Sequence, residues 1–183
     1  MTSPFDRFNQ TVKSSAWDTL FPALEKLFAE TIGHKLFSCS VFKLDATNSG
    51  TAARVYSNDE ASYPISGLKE IVPNRWTRLV VDEHQTFVAN SVGEFSDVFP
   101  DHEKIAALGL QAAVNLPVIK RGRLVGTVNI LEEKGYYSAE RCKQLDALHL
   151  PSLIAFDAGL LHRSGPTRVF GLASASSGIM PMS

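Results

Sequence analysis

Cysteine is scarce in this chain: its 183 residues include two, Cys39 and Cys142. They stand far apart, in neither a Cys-x-x-Cys nor a Cys/His pattern. That excludes a disulfide framework and a thiolate zinc site, and it predicts reduced thiols in a reducing compartment. An excess of charge of one sign is missing as well. With 18 Lys and Arg against 19 Asp and Glu, the formal net charge is -1, so no field draws phosphate backbones or anionic lipid. Nucleic acid and membrane are not expected as direct partners. The five histidines show no metal-ligand spacing. No run approaches the roughly 18 apolar residues of a membrane span, and the opening MTSPFDRFNQ lacks the apolar region of a secretion signal. A cytoplasmic protein is expected.

What the chain does have is a 44% hydrophobic composition. At this length that suffices for one domain burying roughly 70% of the surface its unfolded form exposes. Its focus is Gln111–Leu131, QAAVNLPVIKRGRLVGTVNIL, where two apolar runs rich in β-branched residues flank a Lys-Arg-Gly-Arg turn. This reads as a β-hairpin at the middle of a sheet. Both faces of both strands are apolar, so the sheet must be covered on both sides. Asn115, Thr127 and Asn129 interrupt the apolar field, and their polar atoms need partners if buried. A two-residue turn at Arg121-Gly122 pairs Asn115 with Val128 and Val114 with Asn129. Under that register the two asparagines face opposite sides of the sheet, and one of them lines any given pocket; a one-residue slip would put them side by side. Gly126, inside a strand, marks a close approach of other backbone or of a ligand.

Residues 1–13 read as a polar arm with Phe5 and Phe8 as its bulky apolar members. Ser15 and Asp18 resemble a capping box, and Trp17, Leu20, Phe21, Leu24, Leu27 and Phe28 recur at helical spacing. Pro22 either kinks this helix or places its regular start near Phe21. A first hairpin follows, Leu36–Leu44 and Thr51–Tyr56. The segment to Trp76 is irregular, and it carries Tyr63 and Trp76 on a loop of the kind that meets ligands. Thr77–Gln85 is predicted helical with Leu79 and Val80 inward, and Thr86–Asn90 a short strand. Asp101 is the expected cap of a short helix ending at Gly109. Ser138 is predicted to cap one long final helix, with Cys142, Leu145, His149, Ser152, Leu153, Phe156 and Leu160 on one stripe and a bend at Pro151. From Arg163 the composition turns to Ser, Gly, Ala and Pro, predicting a tail that is disordered or folds only on a partner. The order predicts an α+β domain over 14–162, one antiparallel sheet with the terminal helices on one face and the short central elements on the other, and a tail over 163–183.

These residues resemble a GAF domain. The resemblance rests on the helix ahead of a strand pair, Phe87-Val88-Ala89-Asn90 after a short helix, Leu108-Gly109-Leu110 closing another, and the strand Ala112–Val118 with Pro117. Arg121-Gly122-Arg123-Leu124-Val125-Gly126-Thr127-Val128-Asn129 and a Ser-capped final helix complete it. It implies a GAF/PAS-like sensor fold with a sheet of about six antiparallel strands, a ligand pocket between the sheet and the central helices, and homodimerisation through the terminal helices. Ligand-specific motifs of the family are missing. There is no Asn-Lys dipeptide, neither Asp59-Glu60 nor Asp82-Glu83 has the preceding Phe of the cyclic-nucleotide binders, and neither cysteine precedes the His of the bilin-attaching domains.

The expected function is that of a sensory module rather than an enzyme. It would bind an unidentified small molecule, with Tyr63 and Trp76 packing on it, and Asn90 with one of Asn115 and Asn129 bonding it. No cofactor is specified. The alternative is an interaction module whose pocket side chains fill. Last comes an enzyme of the free methionine sulfoxide reductase type, for which the empty interval between Cys39 and Cys142 leaves no thiol pair.

Overall fold

The computed structural model of the chain describes residues 2–14 and 17–163; the predicted cap Ser15 and the tail from residue 164 lie outside them. Its centre is the expected hairpin, β5 (Ala112–Lys120) and β6 (Arg123–Glu132). Arg121 (φ 51°) and Gly122 (φ 73°) both take the left-handed conformation, the type I′ geometry that matches the twist of paired strands. Lys120 accordingly faces Arg123, but two pairs further on the register slips. Ile119 pairs with Leu124 and Val118 with Gly126, so Val125 is an extra, bulged residue. The bulge overturns the expected register: Asn115 lies directly opposite Asn129, and both point to the same face. Because Arg121 holds a left-handed backbone that costs a residue with a Cβ roughly 1–2 kcal/mol, Arg121→Asn is expected to raise the urea midpoint, by about 0.5 kcal/mol of stability.

Around this hairpin, β1 (Leu36–Leu44), β2 (Gly50–Ser57), β3 (Lys69–Glu70) and β4 (Phe87–Ala89) complete a six-stranded antiparallel sheet in the order β3-β2-β1-β6-β5-β4. Alternation along the strands divides the core in two. Phe37, Cys39, Val114, Leu116, Val128 and Ile130 face the terminal helices and meet Leu24, Phe28 and Phe156 there. Leu36, Ala113 and Leu131 face the central segments, among Tyr63, Val80, Phe87, Phe95 and Ile105. The two-layer covering is the one predicted from the two-faced apolar hairpin.

The helices depart from expectation in several places, and Pro22 follows the second of its two expected alternatives. Residues 4–13 are no loose arm but α1 (Pro4–Lys13). Ser3 Oγ accepts from the Asp6 amide at 3.1 Å, Asp6 Oδ2 accepts from the Ser3 amide at 3.2 Å, and Pro4 opens the first turn, an arrangement that satisfies donors a helix start leaves unpaired. Phe8 anchors α1 in the core. In α2 (Leu20–Thr31), Pro22 sits in the first turn, where no backbone donor is needed, so the helix starts there instead of kinking. The final helix is broken into α5 (Ala139–Cys142), a 3-10 stretch Lys143–Leu148, and α6 (His149–Arg163). The tighter winding brings Leu148 inward and leaves His149 exposed, and Pro151 falls near the start of α6. In the middle of the chain, α3 (Arg75–Thr77) opens into a π turn over Arg78–Asp82. Val80 is buried and Leu79 packs half-buried against the same core, as expected, and the wider turn buries Val81 as well. The predicted cap Asp101 makes no capping bond to α4 (His102–Ala107).

His34, just past α2, has Nε2 3.3 Å from the Glu25 carbonyl oxygen, while its Nδ1 is buried without a partner among the described residues. Burial pushes its pKa below the ordinary 6.5. The unfolded chain then binds the extra proton first, so stability is lost as pH falls below about 6.5. Urea midpoints measured from pH 7 to pH 5 are expected to fall more steeply in the wild type than in His34→Phe.

Candidate functional site

A cavity of about 450 Å³ lies between the second face of the sheet and the segments 63–77 and 98–105, within the size range of small-molecule sites. Its floor is two polar rows laid across the strands by register. Ser38 on β1 pairs with Asn129 on β6, and Asn129 with Asn115 on β5; one step along, Arg54 on β2 pairs with Ser40, and Ser40 with Thr127. Apolar walls come from Leu36, Phe42, Val98, Phe99, Ile105 and Leu131.

The first row is a connected network. Trp76 Nε1 donates to Asn115 Oδ1 at 2.7 Å, Asn115 Nδ2 donates to Asn129 Oδ1 at 2.8 Å, and Asn129 Nδ2 reaches the Ser38 and Ser40 hydroxyls at 3.4 and 3.3 Å. The Trp76 ring stacks on Phe42, centroids 6.2 Å apart and planes 25° from parallel. Each amide thereby supplies the partner the next one needs, which is how polar side chains persist on an apolar face.

At the other end, the buried Tyr63 donates its hydroxyl to Asp101 Oδ2 at 3.0 Å; this bond occupies the carboxylate expected to cap α4. Burial and the neighbouring Asp101 push the Tyr63 phenol up from its ordinary value. The Arg54 guanidinium lies 4.7 Å from the Tyr63 ring centroid, in the range of a cation-π contact, and Nη1 donates to the Pro64 carbonyl at 3.0 Å. Its Nε is buried without a hydrogen-bond partner among the described residues, a state that costs about 1–3 kcal/mol. Desolvation pulls its pKa below the ordinary arginine value.

Comparison with solved structures bears on this arrangement. The GAF domain of a two-component sensor histidine kinase from Bacillus halodurans superposes with a TM-score of 0.61 over 82% of this chain and 99% of that one, at 16% identity. The GAF domain of a phosphoenolpyruvate-protein phosphotransferase from Acinetobacter gives 0.58, over 88% and 94%, also at 16% identity. The chain has the GAF fold. A third structure, the chromophore-binding domain of a bacteriophytochrome from R. palustris, gives 0.53 over 88% of this chain and 63% of that one, at 13% identity. No protein-family model matches the sequence, and no curated protein matches it.

Within this GAF fold, Tyr63, Trp76, Asn115 and Asn129 line one cavity; the expectation that only one of the two asparagines would face it fails with the register. Asn90 is elsewhere. Its side chain clamps the Tyr137 backbone, donating to the carbonyl and accepting from the amide at 2.9 Å each, and so ties the end of β4 to the loop before α5. Thr127, singled out in the sequence as a polar residue in need of a partner, lines the cavity as well; Ser38, Ser40 and above all Arg54 carry no such signal. Arginine is mostly an exposed residue, and the signal that places Arg54 inward is its strand alternation with Ala52, readable only once β1 and β2 are in register.

The cavity lining offers hydroxyls, amides, an indole, the Arg54 guanidinium, the Lys69 ammonium and the Asp101 and Glu70 carboxylates. Neither cysteine lines it. Cys39 is fully buried on the opposite face, where desolvation raises its thiol well above the ordinary value, and burial raises Cys142 too, so both are held as unreactive thiols. No group of three or more His, Cys, Asp or Glu side chains among the described residues is placed to hold a metal ion, and no described helix is long and apolar enough to cross a membrane.

Proposed function

We propose that this chain is a sensory module that binds a small molecule in the cavity and passes its occupancy to the terminal helices, through which two copies pair. The observation that carries this reading is the network from Trp76 through Asn115 and Asn129 to Ser38 and Ser40, aimed into 450 Å³ of space between apolar walls. A few convergent polar groups in an apolar cleft fix a ligand's orientation. The same strands offer the route outward. β1 carries Ser38 and Ser40 on the cavity side and Phe37 on the other, where Phe37 meets Phe28 of α2 edge-on at 5.4 Å. β6 carries Asn129 on one side and Gly126 under Phe156 of α6 on the other. The kinase and phytochrome domains above belong to proteins named for sensing and chromophore binding, which is consistent with this use of the fold. An interaction module with a pocket filled by side chains is disfavoured by the open volume.

A thermal-shift screen of nucleotides, amino acids, organic acids and tetrapyrroles tests the proposal. At least one class is expected to raise the melting temperature, a compound at 100 times its Kd adding about 2.7 kcal/mol. A screen in which nothing moves the wild type refutes it.

A further inference from the structure

The second polar row carries an inference about the chemistry of the ligand, and it rests on the reading of the cavity as a binding site. Arg54, Ser40 and Thr127 stand side by side across β2, β1 and β6, and all three line the cavity. The first row largely consumes its own donors and acceptors. The second does not: among the described residues Arg54 Nε has no hydrogen-bond partner, and no carboxylate lies within ion-pair distance of this guanidinium. Two carboxylates line the cavity, Asp101, whose charge acts on Arg54 from beyond that distance, and Glu70. Asp101 accepts from the Tyr63 hydroxyl, and Glu70 is exposed on the edge strand β3 beside Lys69.

What the row lacks is therefore an acceptor with negative charge. A guanidinium with two hydroxyls in line on one side of it matches the planar, two-oxygen geometry of a carboxylate, since its N–H groups form a planar fork. The rest of the cavity sets the other end of the molecule. Phe42, Trp76 and Leu131 present apolar and aromatic surface, and the volume accommodates one or two rings or a short alkyl chain. We infer that the cavity takes a small organic carboxylate, its carboxylate held by Arg54, Ser40 and Thr127 and its apolar body resting on Trp76 and Phe42. Charge in a low-dielectric site is held strongly only when paired, so the anion and Arg54 are each other's missing partner.

Calorimetric titration with matched pairs tests this: phenylacetate, indole-3-acetate and octanoate, each against its primary amide, on wild type, Arg54→Gln and Arg54→Lys. At least one acid is expected to bind about tenfold or more tightly than its amide. Arg54→Gln should remove that preference, and Arg54→Lys should keep part of it, because the charge stays while the fork is lost. Near-UV circular dichroism reports whether each variant folds; if Arg54→Gln does not, the comparison of wild type with Arg54→Lys and Ser40→Ala decides, both being expected to lose several-fold in acid affinity and little in amide affinity. Amides binding as well as acids, or acids binding equally in the Arg54 variants, would overturn the carboxylate assignment and leave the cavity a binding site. If the broad screen finds a ligand and no acid binds, this inference falls alone; if neither finds one, the reading of the cavity falls with it.

Discussion

Gly126→Ala is expected to be among the most damaging single-methyl additions to this domain. A Cβ at position 126 would come within 2.1 Å of Phe156 Cε1, 2.6 Å of Phe156 Cδ1 and 2.5 Å of the Ser40 carbonyl oxygen. Real Cβ atoms do not approach that closely, so the ring of α6 and the β1 backbone must both give way. Overpacking a dense core costs about 1–3 kcal/mol and occasionally more, and two separate clashes put this change at the upper end. Phe156→Leu in the same chain should recover part of the loss but not all, because the ring can be shortened while the Ser40 carbonyl cannot. Gly67→Ala is the matched control: no atom lies within 4 Å of its added methyl, and its urea midpoint should stay within about 0.5 kcal/mol of wild type. A Gly126→Ala protein as stable as Gly67→Ala would mean that α6 is not seated on β6 as described.

Asn115→Leu attacks the cavity floor in the same quantitative way. It leaves the Trp76 indole N–H without its acceptor at 2.7 Å and Asn129 Oδ1 without its donor at 2.8 Å. An orphaned buried polar group costs about 1–3 kcal/mol; since these groups face a cavity that admits water, a loss of about 2 kcal/mol is expected rather than the sum of two full penalties. The loss should come with a shift in tryptophan emission and with abolition of the thermal response to any cavity ligand. Ser38→Ala is the contrast. Its hydroxyl is 3.4 Å from Asn129 Nδ2, a long and weak bond, so it should cost less than about 1 kcal/mol while still altering ligand affinity. Equal effects from the two substitutions would count against a network with Asn115 at its hub.

How far all this could be read from the sequence depended on whether the signal was local. The hairpin turn was legible because Arg121-Gly122 sits between β-branched runs, and the two-layer covering was legible because both faces of β5 and β6 are apolar. Tyr63 and Trp76 could be singled out as aromatics in irregular backbone, and both line the cavity. The orientation of the asparagines was not legible. One bulged residue at Val125 reverses the face of everything beyond it, and its one local sign, Gly126, does not decide the register, since a glycine inside a strand marks either a bulge or a close approach. Arg54 was hidden for a related reason, because its neighbours Ser40 and Thr127 are set by a register that shifts between Cys39 and Ser40. Asp101 and Asn90 illustrate a third limit. Each carries a local preference, capping for Asp and a strand-end polar position for Asn, and a partner distant in sequence, Tyr63 in one case and Tyr137 in the other, claims the side chain instead. The polar arm was misjudged because the capping box of Ser3 and Asp6 is a helix-start signal even where apolar residues are few.

The Trp76–Asn115–Asn129 face of the sheet is where we propose that a ligand sits, and the Trp76 indole N–H is its most direct reporter. The chain has two tryptophans, so the indole resonance that disappears in Trp76→Phe identifies this one in a proton-nitrogen correlation spectrum. Titration of wild-type protein with the strongest stabiliser from the thermal screen is expected to move that resonance in step with the binding isotherm, as the ligand stacks on the ring or competes for Asn115. A stabiliser that shifts amides elsewhere and leaves the Trp76 indole resonance in place would contradict the account.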